Sequence, residues 1–283
     1  MRGMIIDFHT HIVSPEIRER RDEYARRDAC FSILYSQPKA KLATAEDLIA
    51  SMDECGVDKS IVLGLGLVSH ELCVEVNDYI LESAARYSHR LVGFCTVQPV
   101  AGDKALKEVE RCARSGAKGI GEMRPDVQGF DLDNGSMMSS LVGAITSHDL
   151  ILLMHASEPV GHQYSGKGNV TPELIYPFIQ KFPDLKLVCG HWGGGLPFYA
   201  LMPEVNQALS NTSFDSAATP FLYKPQIFEQ VADIAGCEKI LFGSDYPLLS
   251  PKRVIDQIET VELSPENKAK ILGGNAARLL GIM

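Results

Sequence analysis

Residues 5–11 read Ile-Ile-Asp-Phe-His-Thr-His, a short apolar run that ends in two histidines. The run predicts a strand over Met4–Phe8, because consecutive apolar residues are typical of a parallel strand buried on both faces. His9 and His11 are two positions apart, so on a strand both imidazoles point the same way. Two imidazoles on one face can bind a single cation such as zinc.

Similar apolar runs recur along the whole chain and predict seven further strands. They cover Ser60–Leu65, Leu91–Val97, Ala117–Met123, Leu150–Met154, Leu185–Cys189, Asn211–Phe214 and Lys239–Phe242. The segments between them have helical spacing and helix-start signals, such as Thr44 before Glu46 and Asp47. This alternation predicts an α/β fold, a (β/α)8 TIM barrel, with an insertion over Ser14–Leu42 that could act as a lid and with a C-terminal helix.

The length of 283 residues fits either two domains of about 150 residues or one barrel of roughly 250. Eight β/α units with the insertion and the last helix account for the length, so we expect one domain over residues 1–283. A doubly wound sheet would have a glycine-rich phosphate turn after an early strand. Gly64-Leu65-Gly66 is an incomplete match to that turn, which favours the barrel.

Composition excludes several classes of protein. The chain has 27 Lys plus Arg and 36 Asp plus Glu, a net charge of −9 that argues against nucleic-acid binding. No apolar stretch approaches the ~20 residues that span a bilayer, and the N-terminus lacks the apolar core of a signal peptide. The seven cysteines are widely spaced and form no CxxC pair, so we expect reduced thiols in a cytoplasmic protein without a membrane partner.

Polar residues end five of the eight predicted strands. His9 and His11 end the first, and the others are followed by Glu122, His155, His191 and Asp245. Because the carboxyl ends of parallel barrel strands meet at one mouth, we expect these side chains to converge there. Any one of these histidines taken alone is best explained as an ordinary hydrogen-bonded residue, but the set predicts a metal site.

Four motifs resemble those of the amidohydrolase superfamily, in particular the amidohydrolase-2 or amidohydrolase-related family of metal-dependent hydrolases and aminocarboxymuconate semialdehyde decarboxylase-like enzymes. They are residues 6–11 (IDFHTH), 155–159 (HASEP), 190–195 (GHWGGG) and 242–247 (FGSDYP). The resemblance implies that His9, His11, His155 and Asp245 bind a divalent metal ion. It makes His191 a catalytic histidine or one that supports the metal ligands. Zinc is the expected ion, with manganese as an alternative, and one or two ions fit.

Glu122 leaves the number of metal ions open. It resembles the strand-four glutamate that bridges two metals in some superfamily members, and this favours hydrolysis. The single-metal decarboxylases do not depend on such a carboxylate. Without a metal role, Glu122 would be an ion-pair partner of Arg124 or Lys118.

The main functional prediction is a metal-dependent hydrolase that acts on a C–N, C–O or lactone bond of a small carboxylated compound. A metal lowers the pKa of its bound water to roughly 7; Asp245 would be the general base and His191 would stabilise the oxyanion. The alternative is a metal-dependent non-oxidative decarboxylase, and a third, weaker possibility is a metal-binding barrel without activity.

Candidate substrate-binding residues lie near the same strand ends. Arg124 could bind a carboxylate, and His162, Tyr164 and Lys167 lie on the glycine-rich loop after the fifth strand. Trp192 follows His191 and either lines the site or packs beneath it. Asp215, after the seventh strand, could support the metal ligands, but capping the next helix is the favoured interpretation. The family resemblance makes a homodimer plausible.

Overall fold

Eight parallel strands form one sheet in sequence order in the computed structural model, which describes residues 3–282. The strands are β1 (Ile6–His11), β2 (Lys59–Leu63), β3 (Leu91–Cys95), β4 (Gly119–Met123), β5 (Ile151–Met154), β6 (Leu187–Cys189), β7 (Thr212–Asp215) and β8 (Ile240–Leu241). The predicted (β/α)8 TIM barrel, with its insertion and C-terminal helix, is confirmed.

The last strand returns to the first and nearly closes the barrel. The backbone N–H of Phe8 donates to the carbonyl of Phe242 over 2.7 Å, and that of His11 donates to Tyr246 over 2.7 Å. In the other direction, the N–H of Asp245 donates to the carbonyl of His9 over 2.9 Å. These bonds fix Asp245 beside the end of β1.

Every strand departs from its predicted bounds by one or more residues, and the largest change is in β1. β1 continues through His11 instead of ending at Phe8, because the segment after β8 supplies hydrogen-bond partners as far as Tyr246. β8 itself covers only Ile240–Leu241, shorter than the predicted Lys239–Phe242. The metal-binding histidine pair predicted for the end of β1 therefore lies within the strand.

Fifteen α-helices surround the strands within residues 3–282. They are α1 (Pro15–Glu19), α2 (Arg21–Arg27), α3 (Ala29–Tyr35), α4 (Ala45–Cys55), α5 (His70–Arg86), α6 (Asp103–Arg114), α7 (Pro125–Gln128), α8 (Gly135–Ser147), α9 (Pro172–Lys181), α10 (Pro203–Ala208), α11 (Thr219–Leu222), α12 (Ile227–Val231), α13 (Pro251–Thr260), α14 (Pro265–Ala269) and α15 (Asn275–Leu280). Thr44 and Asp47 form a reciprocal capping box at the start of α4, as the sequence predicts.

The insertion after β1 folds into α1, α2 and α3 and is tied to the barrel. Asp28 caps α3 by accepting a hydrogen bond from the N–H of Phe31, and its second oxygen accepts from the N–H groups of Val68 and Ser69. Arg21 donates to three backbone carbonyls in the segment 37–40. The insertion is therefore fixed in position over the barrel mouth.

Apolar side chains cover both faces of the strands, as a parallel barrel requires. One cluster fills the barrel interior and includes Phe8, Phe94, Leu153 and Val188. A larger cluster lies between the strands and the helices. The ends of the strands at the mouth are the place where this apolar packing gives way to buried polar groups.

The seven cysteines are free thiols, and all but Cys55 are buried. No helix within residues 3–282 is both long enough and apolar enough to cross a bilayer.

Candidate metal centre and cavity

His9 and His11 direct their Nε2 atoms toward each other at the mouth of the barrel. The two nitrogens are 3.1 Å apart, and both side chains are buried. Nδ1 of His11 donates to the carbonyl of Leu63 over 3.3 Å, which leaves the Nε2 lone pair of a neutral His11 free. A proton or a metal cation must therefore lie between the two Nε2 atoms, because two facing lone pairs repel. This donor set fits a divalent metal.

Asp215, at the end of β7, holds His9 from behind. Its Oδ2 lies 2.9 Å from Nδ1 of His9, and its Oδ1 accepts from the N–H groups of His191 and Ala217. Burial would lower the pKa of His9, but the negative charge of Asp215, Glu122 and Asp245 outweighs it and raises that pKa to about 10. The site thus strongly favours positive charge at His9.

Glu122 connects the histidines of β1 with those of the neighbouring strands. Its Oε1 lies 2.7 Å from Nδ1 of His155 and 3.3 Å from Nε2 of His191, and its Oε2 lies 3.7 Å from Nε2 of His11. Burial would raise the pKa of Glu122, but the nearby histidines hold it well below its ordinary value. Two groups of possible metal ligands therefore share this carboxylate: His9, His11 and Glu122, and Glu122, His155 and His191.

His155 uses both ring nitrogens in hydrogen bonds. Nδ1 donates to Glu122, and Nε2 accepts from the hydroxyl of Ser157 over 3.1 Å. Burial and the nearby charge of Arg124 lower the pKa of His155 to about 4, so the ring is neutral. To bind a metal through Nδ1, His155 must exchange its hydrogen bond to Glu122 for the cation.

His191 lies at the end of β6 with its backbone in the left-handed region, at φ 52°. Its Nδ1 donates to the carbonyl of Ala217 over 3.3 Å, which turns Nε2 toward Glu122. Burial would lower the pKa of His191, but the hydrogen bond to Glu122 outweighs it and raises that pKa. The glycines at 193–195 also have positive φ, and a Cβ at Gly194 would lie 2.3 Å from the carbonyl of Ser157.

Asp245 completes the group at the mouth. Its Oδ1 lies 3.5 Å from Nε2 of His11 and 3.8 Å from Nε2 of His9, and its side chain is partly exposed. Its backbone φ is 67°, and the hydrogen bond from its N–H to the carbonyl of His9 holds it on the β1 side of the mouth. The six residues that end five strands in the sequence prediction therefore lie together.

A cavity of about 500 Å³ opens above these residues. Its floor contains His11, Glu122, His155, His191 and Asp245. The insertion supplies one wall, from Leu34 to Lys41, so the segment predicted to be a lid does cover the site. The cavity has the volume of a typical small-ligand site.

Three of the five predicted substrate-binding residues line this cavity: Arg124, His162 and Tyr164. The structure does not bring the other two to it. The Lys167 ammonium donates to the carbonyls of Val160 and His162 within its own loop.

Trp192 is fully buried in the core instead of lining the cavity. Its Nε1 donates to Thr219 over 2.8 Å, and its ring meets Phe228 edge-on at a centroid distance of 5.0 Å. The left-handed backbone at 192–195 turns the chain away from the mouth directly after His191, so the two neighbouring side chains reach different places.

Two residues support the site beyond the main predictions: Asp215, for which a helix cap was favoured, and Asp7, which was missed. Asp215 holds His9 and caps no helix, since α11 begins after Ala218 without a side-chain cap. Asp7 accepts hydrogen bonds from the N–H and hydroxyl of Ser244, and burial raises the pKa of Asp7 to about 7. Only the position of Asp215 directly after an apolar strand could have indicated its role.

A family model described as amidohydrolase matches residues 6–282. The chain therefore belongs to the amidohydrolase family, as its motifs indicated, and its classification as an enzyme is supported.

Characterised relatives have named activities, which the family model alone does not give. The chain is 22% identical over 281 residues to the gamma-resorcylate decarboxylase of Polaromonas sp. JS666, covering 81% of this chain and 84% of the relative. It is 23% identical over 243 residues to the 2-amino-3-carboxymuconate-6-semialdehyde decarboxylase of Dictyostelium discoideum, covering 75% and 67%.

A solved structure shares the fold. The 5-carboxyvanillate decarboxylase of Novosphingobium aromaticivorans, complexed with manganese and 4-hydroxy-3-methoxy-5-nitrobenzoic acid, superposes with a TM-score of 0.81. It is 20% identical, and the match covers 99% of this chain and 96% of that one.

These relatives overturn the main functional prediction. Hydrolysis was favoured because Glu122 resembles a metal-bridging glutamate, yet the relatives are decarboxylases. The prediction of a hydrolase is wrong because the ligand motifs are common to both reactions and do not distinguish between them. The predicted divalent-metal site is supported, whereas zinc is not, since the solved relative holds manganese.

Proposed function

We propose that this protein is a metal-dependent non-oxidative decarboxylase of a small carboxylated compound, with aromatic acids as the first class to test. The observation that carries the proposal is the cavity built on the His9–His11 pair, in a family whose characterised relatives are decarboxylases of such acids. Cleavage of the bond between the substrate carbon and its carboxylate releases carbon dioxide, and the carbon takes up one proton.

His9, His11, His155 and Asp245 would hold the metal, with Glu122 as a further ligand. When bound, the metal supplies positive charge that binds and polarises the substrate's oxygens. Manganese is the first ion to test and zinc the second, because imidazole and carboxylate ligands suit both.

Asp245 and His191 are the candidate catalytic residues. Both line the cavity, Asp245 as one of the proposed metal ligands and His191 next to them, within reach of a substrate that is bound there. His191 has a raised pKa and a fixed ring, so it can hold a proton close to the substrate carbon. Asp245 is the more exposed of the two. Of the five predicted substrate-binding residues, we keep Arg124, His162 and Tyr164 in that role.

The test is carbon dioxide release by the manganese-loaded and zinc-loaded protein from a panel of hydroxybenzoates and related acids. We expect release from at least one acid, and a loss of at least about 100-fold in His11→Ala, since one ligand of the metal is removed. His148→Ala is the matched control, because His148 is exposed at the end of α8. No release across the panel, or equal rates in His11→Ala, would contradict the proposal.

The remaining predictions concern the whole protein. We propose one domain over residues 1–283, a cytoplasmic location and a homodimer. Sedimentation analysis would test the homodimer, and limited proteolysis would test the single domain.

A further inference from the structure

The charges that line the cavity are divided between its floor and its rim. Within the described residues 3–282, the acidic lining residues are Glu122 and Asp245, and both belong to the candidate metal centre. The remaining lining cations are Lys39, Lys41 and Arg124. A chain with a net charge of −9 therefore presents only basic charged side chains in the part of the cavity away from the metal ligands.

Arg124 is the buried member of this basic group. Its side chain is only 2% exposed, yet it forms part of the cavity wall. Nη2 donates to the carbonyl of Gly166 over 2.8 Å and approaches Oδ2 of Asp126 at 3.4 Å. Nε is buried without a hydrogen-bond partner, and Nη1 donates no hydrogen bond to another described residue. Much of the donor capacity of this guanidinium is therefore unused.

Two close approaches by glycine show that the structure is built around this arginine. A Cβ at Gly66 would lie 2.6 Å from Cβ of Arg124, and a Cβ at Gly168 would lie 3.0 Å from its Nη2. Asp126, the nearest carboxylate, does not line the cavity. The guanidinium is thus held between two backbone segments, with its acidic neighbour outside the space that a ligand would fill.

The two rim lysines differ from Arg124 in being exposed. Lys39 and Lys41 lie on the insertion and form no ion pair with any residue in the range 3–282. Tyr35, on the same insertion, is buried and lines the cavity between this rim and the floor. Burial raises the pKa of Tyr35, so its hydroxyl is a neutral hydrogen-bond donor there.

We propose that Arg124, with Lys39 and Lys41 at the rim, forms a subsite for a second anionic group, so that the preferred substrates are dicarboxylates. The inference rests on the proposed function for the position of the first carboxylate, which lies at the metal centre. A planar guanidinium with free donors matches a carboxylate in geometry, and the exposed lysines attract the anion to the mouth.

The test measures binding of two non-reactive probes to the manganese-loaded protein by calorimetry. Benzene-1,3-dicarboxylate carries two carboxylates, and 3-carbamoylbenzoate has nearly the same shape with one. We expect the dicarboxylate to bind roughly tenfold tighter, as expected for one charge-assisted interaction. Arg124→Gln should reduce this ratio to about twofold or less, and Lys107→Gln, an exposed lysine on α6, should leave it unchanged.

A second variant keeps the test decisive if Arg124→Gln fails to fold. In the double variant Lys39→Gln, Lys41→Gln, both substitutions are exposed, so folding is preserved. We expect its ratio to fall by about threefold at low salt, with the difference from the wild-type protein disappearing at high salt. Equal binding of the two probes to the wild-type protein, or an unchanged ratio in folded Arg124→Gln or in the double variant, would overturn the subsite.

The subsite and the proposed reaction can fail separately. Carbon dioxide release from monocarboxylates, with no preference for the dicarboxylate probe, would overturn the subsite and leave the decarboxylase in place. A strong dicarboxylate preference that Arg124→Gln removes, without carbon dioxide release from any acid, would support the subsite and count against the reaction.

Discussion

The carboxylate of Asp215 lies 2.9 Å from Nδ1 of His9, and both side chains are fully buried. Burial would raise the pKa of Asp215, but the positive charge of His9 outweighs it and lowers that pKa, so the carboxylate stays ionised. An ionised acceptor keeps the proton on Nδ1 and turns Nε2 toward the candidate metal position. Partners of this kind orient metal-binding histidines and increase their basicity.

Asp215→Asn is therefore expected to weaken metal binding by about 10- to 100-fold, the usual effect of removing such a partner. The measurement is a competition titration of Mn²⁺ against a chromogenic chelator. Asp233→Asn, at an exposed aspartate in the helical turn directly after α12, is the matched control and should bind the metal like the wild-type protein. Unchanged affinity in Asp215→Asn would show that His9 does not depend on this carboxylate.

Metal binding should also stabilise the fold. The floor of the cavity brings Glu122 and Asp245 close to His11, and a cation that binds these groups only in the folded protein stabilises that state. At a metal concentration 100 times the dissociation constant, the free energy of unfolding should rise by about 2.7 kcal/mol. Urea denaturation with and without Mn²⁺ measures this. The increase in the free energy of unfolding should vanish in His11→Ala. If it persists in that variant, the stabilising ion binds at another site.

The lid depends on Asp28, which joins α3 to the backbone at Val68 and Ser69. Asp28→Ala removes a helix cap and leaves one buried and two partly buried N–H groups without this acceptor, a cost of about 1–3 kcal/mol. We expect faster proteolysis within residues 14–42 and a higher KM, because this segment forms one wall of the cavity. Glu19→Ala, an exposed residue of α1, is the control. Equal cleavage rates in the two variants would contradict this role.

Glu108 should contribute pH-dependent stability far from the cavity. Its buried carboxylate accepts hydrogen bonds from Asn77 and Arg111. Burial would raise the pKa of Glu108, but the hydrogen bonds from these two residues outweigh it and hold that pKa below the ordinary 4.5. The stabilisation is therefore full above the unfolded-state pKa and is lost as the pH falls through the lower folded-state value.

Glu108→Gln should destabilise the protein by about 1–3 kcal/mol at pH 7, with a smaller difference from the wild-type protein below pH 4.5. Denaturation curves at several pH values measure this difference. Glu110→Gln, on the same helix and more exposed, should have little effect. A difference that is independent of pH would mean that the charge of Glu108 is not what stabilises the helix.

Much of the fold follows from local sequence. Apolar strands such as Leu150–Met154 and helix signals such as Thr44 with Asp47 are short-range features, and the structure contains both elements. The position of His9 beside His11 also follows from the two-residue repeat of a strand. The full extent of β1 does not, because it depends on hydrogen bonds from residues near Tyr246, at the far end of the chain.

Roles that depend on side-chain direction were harder to predict. Trp192 is adjacent to His191 in sequence, yet the left-handed backbone sends it into the core. Lys167 is on the predicted loop, but its ammonium binds carbonyls of that loop. Asp215 supports His9 across more than 200 positions of sequence, and no short motif marks such a pair.

The reaction itself is tested most directly by incubating the metal-loaded protein with an accepted acid in D2O and analysing both products. A decarboxylase releases one carbon dioxide per product molecule and places one deuterium on the carbon that lost the carboxylate. We predict this result, with the rate sharply reduced in Asp245→Asn. A parallel incubation in ¹⁸O-labelled water that gives a product carrying solvent oxygen, with no carbon dioxide released, would contradict the account and restore hydrolysis.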